Sequence, residues 1–366
     1  MIMSNLSPDL IEEILSRVPA TSLTRLRSTC KRWNTFELFR DRRFTEKHSR
    51  KAPKQSMVLM LKEYRIFVMS ISLNVADPSR EFKVPLGLKD SHSNLEKVYI
   101  YEAFHCGGLL LCKTNHDGLL VWNPGESRWI QPKSDEESYR WSLYCLGYEN
   151  NNFCHSYKIL RCLHKLIKFE IYEFSSDSWR VLDVAALVFR IESREGVSLK
   201  GNTYWLAFDT VDKFILSFDF TRERFRRFCL PVFQNLDAMA LSVVREDKLL
   251  LLHRSFDTIS KMDMWVTYIN IDTEAVLWSK SFTLDIPISS TDGYIPNNFL
   301  VDEEKKVVMC CNRSLKPNSR KREYVIHKYH TESPSVDTTH ASDFSFIFSY
   351  VPSLVQIQRV EEKTSR

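Results

Sequence analysis

Glycine is scarce in this chain, with only 9 in 366 residues. Glycine-rich phosphate cradles are thereby excluded, and no P-loop, dinucleotide fingerprint or Gly-x-Ser-x-Gly elbow occurs. Long apolar runs are also missing. The longest, such as Val184–Phe189, fall far short of the ~20 residues a membrane helix requires. The polar start leads into a capped helix without a secretory pattern, so no membrane contact is expected. The nine cysteines are odd in number and lack framework spacing, which predicts reduced thiols in the cytoplasm or nucleus. On that expectation the sequons at Asn5 and Asn312 go unused. Cys154-His155 and Cys162-x-His164 bring two Cys and two His together, but no Cys-x-x-Cys exists and the spacing fits no zinc module. No metal, cofactor or catalytic residue is expected, and carboxylates such as Asp177 and Asp219 read as turn caps.

What is present suits a folded, soluble chain: 43% hydrophobic and 27% charged residues. The formal charge of +5 is unevenly placed. Residues 1–55 carry twelve Lys and Arg against six Asp and Glu, while the remainder is close to neutral. The basicity belongs to the N-terminal segment.

That segment is helical by its spacing. Ser7 can cap a helix, Pro8 fits its first position and Asp9 suits its positive end. Leu10, Ile11, Ile14, Leu15 and Val18 recur at a helical period until Pro19. Thr21 or Ser22 is the expected cap of a second helix carrying Leu23, Leu26, Cys30 and Trp33. Phe36, Leu38 and Phe39 prolong the series before Asp41-Arg42-Arg43-Phe44. Three helices in ~45 residues rarely close a core alone. The surplus apolar surface must meet either the rest of the chain or another protein. The basic residues Arg25, Arg27, Lys31, Arg32, Arg40, Arg42 and Arg43 read as a solvated face, since no helix-turn-helix or base-reading spacing accompanies them, and no nucleic acid is expected.

Leu6 through Pro19 and Ser22 through Asn34 resemble the two halves of an F-box, with one departure: Ser7 stands between the first Leu and Pro8. The resemblance implies binding to a Skp-type adaptor and, through it, to a cullin. By residue match, Leu6, Pro8, Leu10, Ile14, Leu15, Val18, Pro19, Leu23, Leu26, Cys30 and Trp33 are the adaptor-facing or core positions.

From Met57 the helical period vanishes and short aromatic or β-branched runs alternate with turn signals. Four stretches repeat the order strand, polar turn, aromatic-led strand: 119–129, 169–179, 215–225 and 265–278. Their aromatics, Trp129, Trp179, Phe225 and Trp278, recur at about the 50-residue period of kelch-like blades. These rings are read as packing between blades rather than a ligand cage. Gly107-Gly108 is the lone glycine pair, so the strict kelch consensus is not met. The region resembles the kelch-like F-box-associated interaction domain (type 1) of plant F-box proteins, most clearly at 243–266 and 278–280.

The expected organisation is α+β and multi-domain. A helical F-box (1–50) and a short basic linker (51–56) precede an all-β, kelch-like β-propeller (57–358) and a polar tail (359–366). The resemblance implies a non-catalytic substrate-recognition subunit of a Skp–cullin–F-box ubiquitin ligase that recruits a protein target. A glycan- or small-ligand-binding propeller acting outside a ligase is the alternative. A propeller enzyme has no candidate cofactor site. Target contact is expected on loops at one propeller face, such as 131–141, 150–155, 256–262 and 289–298.

Overall fold

A computed structural model of the chain describes residues 7–29, 41–54, 56–69, 98–115, 118–124, 126–132, 136–151, 154–163, 168–184, 189–192, 194–233, 237–244, 247–258, 260–269, 276–286, 294–302, 307–314, 324–330, 336–341 and 346–357. Helix α1 spans Pro8–Leu15, with the Ser7 hydroxyl accepting from the Leu10 N–H at 3.4 Å. The chain leaves it at Ser16, before Pro19 is reached. Helix α2 spans Ala20–Thr29 and starts one to two residues earlier than the expected Thr21 or Ser22 cap. The Pro19 carbonyl accepts from the N–H groups of Ser22 and Leu23, so the proline that ends one path also opens the next. Helix α3, Arg42–Lys51, is capped by Asp41, whose carboxylate accepts from the Arg43 N–H at 2.8 Å.

Beyond the helices the chain is a propeller of antiparallel sheets. Blade 1 holds β3 (Ile100–Cys106), β4 (Leu109–Thr114), β5 (Leu119–Trp122) and β6 (Ser127–Ile130). Blade 2 holds β7 (Ser142–Asn151), β8 (Cys154–Leu163), β9 (Lys168–Glu173) and β10 (Ser178–Leu182). In blade 3 the inner edge is split into β11 (Arg190–Ile191) and β12 (Val197–Leu199), both pairing with β13 (Asn202–Phe208), followed by β14 (Lys213–Asp219) and β15 (Arg224–Cys229). Blade 4 comprises β16 (Ala238–Val244), β17 (Lys248–Arg254), β18 (Lys261–Ile269) and β19 (Val276–Asp285). Blade 5 comprises β20 (Tyr294–Asp302), β21 (Val307–Ser314), β22 (Tyr324–His330) and β23 (Val336–Ala341). A shorter sixth sheet joins the two ends of the domain: β24 (Phe346–Tyr350) pairs with β1 (Met57–Lys62), which pairs with β2 (Arg65–Met69).

Apolar clusters between neighbouring sheets carry the fold around a closed ring. One runs through blades 1 to 3 around Leu146, Ile159, Trp205 and Phe220. Others join blades 3 and 4, blades 4 and 5, blade 5 and the sixth sheet, and the sixth sheet and blade 1. The repeat aromatics sit on the outer strands β6, β10, β15 and β19 and pack against these clusters. The period misses blade 5 because β23 opens Val336-Asp337, with no aromatic. Of the thiols, Cys106, Cys112, Cys145, Cys162, Cys310 and Cys311 are buried and Cys229 is exposed, and none of these seven is in a disulfide. Burial raises Cys112 to about 12, so it packs as a small apolar group.

Antiparallel alternation sends successive turns to opposite ends of the ring. Met57 opposes Tyr350, so the chain enters and leaves the propeller at one end, the near end. The β3–β4, β5–β6 and β7–β8 turns lie there. The β1–β2, β13–β14 and β17–β18 turns and the connections between blades lie at the far end.

Candidate functional site

The N-terminal helices form a small core of their own. Leu15 (4% exposed), Leu23 and Phe44 are buried together, with Ile11, Val18, Leu26 and Leu354 packed around them. Each fully buried side chain of this kind contributes roughly 2 kcal/mol. Polar contacts dock α3 on α1. Lys47 pairs with Glu12 at 2.8 Å and Glu13 at 3.0 Å, and Lys51 pairs with Glu13 at 2.6 Å. Lys51, Arg17 and Lys47 together hold the Glu13 carboxyl down to about 2. The buried His48 ring lies 2.8 Å from the Val18 carbonyl, and burial lowers its pKa.

The opposite side of α1 is bare. Leu10 is 46% exposed and Ile14 is 39% exposed, although both belong to the same apolar series as Leu15. Pro8 is exposed as well, and Val18, Pro19 and Leu26 are half-buried. Of the residues singled out by sequence, the structure therefore brings Leu15, Leu23, Val18 and Leu26 into one cluster and leaves Pro8, Leu10 and Ile14 facing outward. Leu6, Cys30 and Trp33, and most of the basic residues weighed above, lie outside the described residues or have no described side chain. Sequence spacing overlooked Leu354, which reaches this core from beyond the last strand with no periodic signal around it. It also overlooked the pairing of Phe44 with His48, although their four-residue separation in a helix is visible in the sequence.

The far end of the propeller carries a second group of exposed apolar side chains. Tyr64, Tyr99, Tyr101, Val211, Val232 and Phe256 lie in far-end turns or at far-end strand starts, and Trp141 closes the short helix Glu136–Trp141 that leads into β7 there. The Tyr64 ring meets Tyr99 and Tyr101 edge-on, with centroids 6.0 and 5.4 Å apart. Glu63 and Tyr64 hold left-handed backbone at φ 50° and 61°, a conformation that costs energy in non-glycine residues and presents the Tyr64 ring. The expected target loops divide between the two ends. The described parts of 131–141, 256–262 and 289–298 are far-end, whereas 150–155 is the β7–β8 hairpin at the near end, because only one strand separates it from the far-end start of blade 2.

Comparison with known proteins accords with this division. Residues 3–37 match the F-box domain, and residues 57–357 match the F-box associated beta propeller domain. The chain belongs to the F-box proteins with an associated β-propeller. From Arabidopsis thaliana, a protein named "Putative F-box only protein 9" is 52% identical over 375 residues, covering 99% of this chain and 98% of that protein. A "Putative F-box/kelch-repeat protein" of the same plant is 52% identical over 376 residues, covering 98% of both chains. An F-box protein of that plant is 51% identical over 333 residues, 86% of this chain and 94% of its own. A solved structure of a functionally unknown protein from Desulfotomaculum acetoxidans (TM-score 0.38, 10% identity, 80% of this chain and 89% of that one) is too distant to bear on function. In the F-box, then, inward Leu15 and Leu23 build the helical unit, and Leu10 and Ile14 stay exposed.

Proposed function

We propose that this F-box protein is the substrate-recognition subunit of a Skp–cullin–F-box ubiquitin ligase. The observation that carries it is the bare face of α1. Leu10 and Ile14 stay in solvent although the cluster beneath them is filled by Leu15, Leu23 and Phe44. Covering the exposed part of each side chain, a little under half, with a helical adaptor is favourable by about 1 kcal/mol each. The chain itself does no covalent chemistry on this reading. It holds a protein target near a charged conjugating enzyme, raising the effective concentration of the target's lysines and directing it to the proteasome.

The target is proposed to bind at the far end, away from the adaptor. Exposed Tyr and Trp side chains are the commonest anchors of protein interfaces, and Tyr64, Tyr99, Tyr101 and Trp141 stand there together with the exposed Phe256. Seven cysteines outside any disulfide, among them Cys229 at the surface, fit a reducing compartment, cytoplasm or nucleus. The test is affinity purification with the proteasome blocked, comparing the full chain with its Leu10→Asp/Ile14→Asp variant. Targets should be captured by both, and adaptor and cullin by the unaltered chain alone. Failure of the unaltered chain to capture an adaptor would sink the proposal.

A further inference from the structure

Residues 351–357 follow the last strand and run along the near end of blade 1, tied to it at Ser353, Val355 and Ile357. The Tyr350 hydroxyl donates to the Gly108 carbonyl at 3.0 Å, and the Ser353 hydroxyl donates to the Gly107 carbonyl at 3.3 Å. The Asn123 amide donates to the Val355 carbonyl, and the Glu126 carboxylate accepts from the Ile357 N–H. Ile357 and Val355 enter the large core cluster of blades 1 to 3. This path explains the second glycine of the pair, whereas a Cβ on Gly107 would lie 2.5 Å from the Tyr157 hydroxyl of blade 2. A Cβ on Gly108 would lie 2.0 Å from the Ser353 hydroxyl oxygen, and its φ of +85° already favours glycine.

At the middle of this segment Leu354 turns the other way and packs on the F-box core of Leu15, Leu23 and Phe44. Among the described residues the helices thus meet the propeller at two places. One is the peptide 52–56, whose Ser56 hydroxyl lies 2.8 Å from that of Ser349, and the other is Leu354. A covalent linker alone would act as a hinge, and a hinge spreads a tethered target over a wide volume.

We propose that residues 351–357 are a strap that fixes the F-box at one orientation on the propeller, with Leu354 as the positioning residue. This rests on the ligase reading above for its purpose, since a fixed offset aims the far end relative to the adaptor. The strap itself is a property of the chain alone and is tested on the chain alone.

The experiment compares the full-length protein with two variants. Leu354→Asp breaks the contact, and Asn123→Ala/Glu126→Ala/Ser353→Ala removes the side-chain hydrogen bonds that hold residues 353–357 on blade 1 while keeping the Leu354 side chain. Small-angle X-ray scattering reads the arrangement, and limited trypsin digestion reads access to the linker at Lys54. Both variants should broaden the pair-distance distribution and speed linker cleavage about tenfold, with the melting of the propeller unchanged. Two unchanged variants would overturn the strap. So would an effect confined to Leu354→Asp, because Leu354 would then only complete the F-box core. Capture of a Skp-type adaptor, measured in parallel, reports on the ligase reading separately. Its loss from the unaltered chain would leave the scattering result standing.

Discussion

Leu10 and Leu15 share one short helix and face opposite ways, the first 46% exposed and the second 4%. The inward residue meets Leu23 and Phe44, so it is part of the F-box's own fold. Leu15→Ala or Leu23→Ala should therefore destabilise the helical unit by about 2–4 kcal/mol through the cavity left behind. Hydrogen exchange should rise across residues 8–29 and 42–51, with the propeller unaffected. Adaptor capture would fall as a consequence of that unfolding.

Acid should loosen the same unit through His48. Burial keeps its pKa below the ordinary 6.5, so the unfolded segment takes up that proton more readily than the folded one. The stability it confers is full above pH 6.5 and declines as the pH falls through and below that value. Glu13 behaves differently: held down to about 2 from 4.5, it contributes until the pH drops below about 4.5. Exchange of the α3 amides at pH 5.5 should thus exceed that at pH 7.5, and His48→Gln should remove most of the difference.

In blade 2 the buried Arg161 guanidinium donates to the Ser142 hydroxyl and the Glu170 carboxylate, each at 2.9 Å. Glu170→Ala would leave that charge uncompensated at a cost of about 3 kcal/mol. Replacing both, as Arg161→Met/Glu170→Leu, should recover most of the loss. Urea denaturation midpoints check this.

Tyr64→Ala/Tyr101→Ala should reduce the recovery of proteasome-stabilised targets about tenfold or more while leaving adaptor capture intact. Quantitative mass spectrometry of purified complexes measures both. A target profile unchanged by the double substitution would move the binding site elsewhere.

Much of this is legible in the sequence because it is local. Ser7, Pro8 and Asp9 mark the start of α1, and the aromatic-led turns at Trp129, Trp179, Phe225 and Trp278 mark four outer strands. The remainder depends on distant partners. Spacing identifies Leu10, Ile14 and Leu15 as apolar but cannot say that Phe44 and Leu354 cover only the last of them. The hairpin at 150–155 looks like any other polar turn, and only the strand alternation of blade 2 assigns it to the near end. Tyr64 sits in a turn of ordinary composition, and its closeness to Tyr99 and Tyr101 arises when blade 1 closes beside the sixth sheet.

The most direct test of the central claim is the affinity of the full chain for a purified Skp-type adaptor, measured for the unaltered protein and for Leu10→Asp/Ile14→Asp. Both positions are exposed, so the variant should fold and melt normally while binding falls by at least about a hundredfold. Unchanged affinity in a normally folded variant would contradict the assignment of the bare face of α1 as the docking surface.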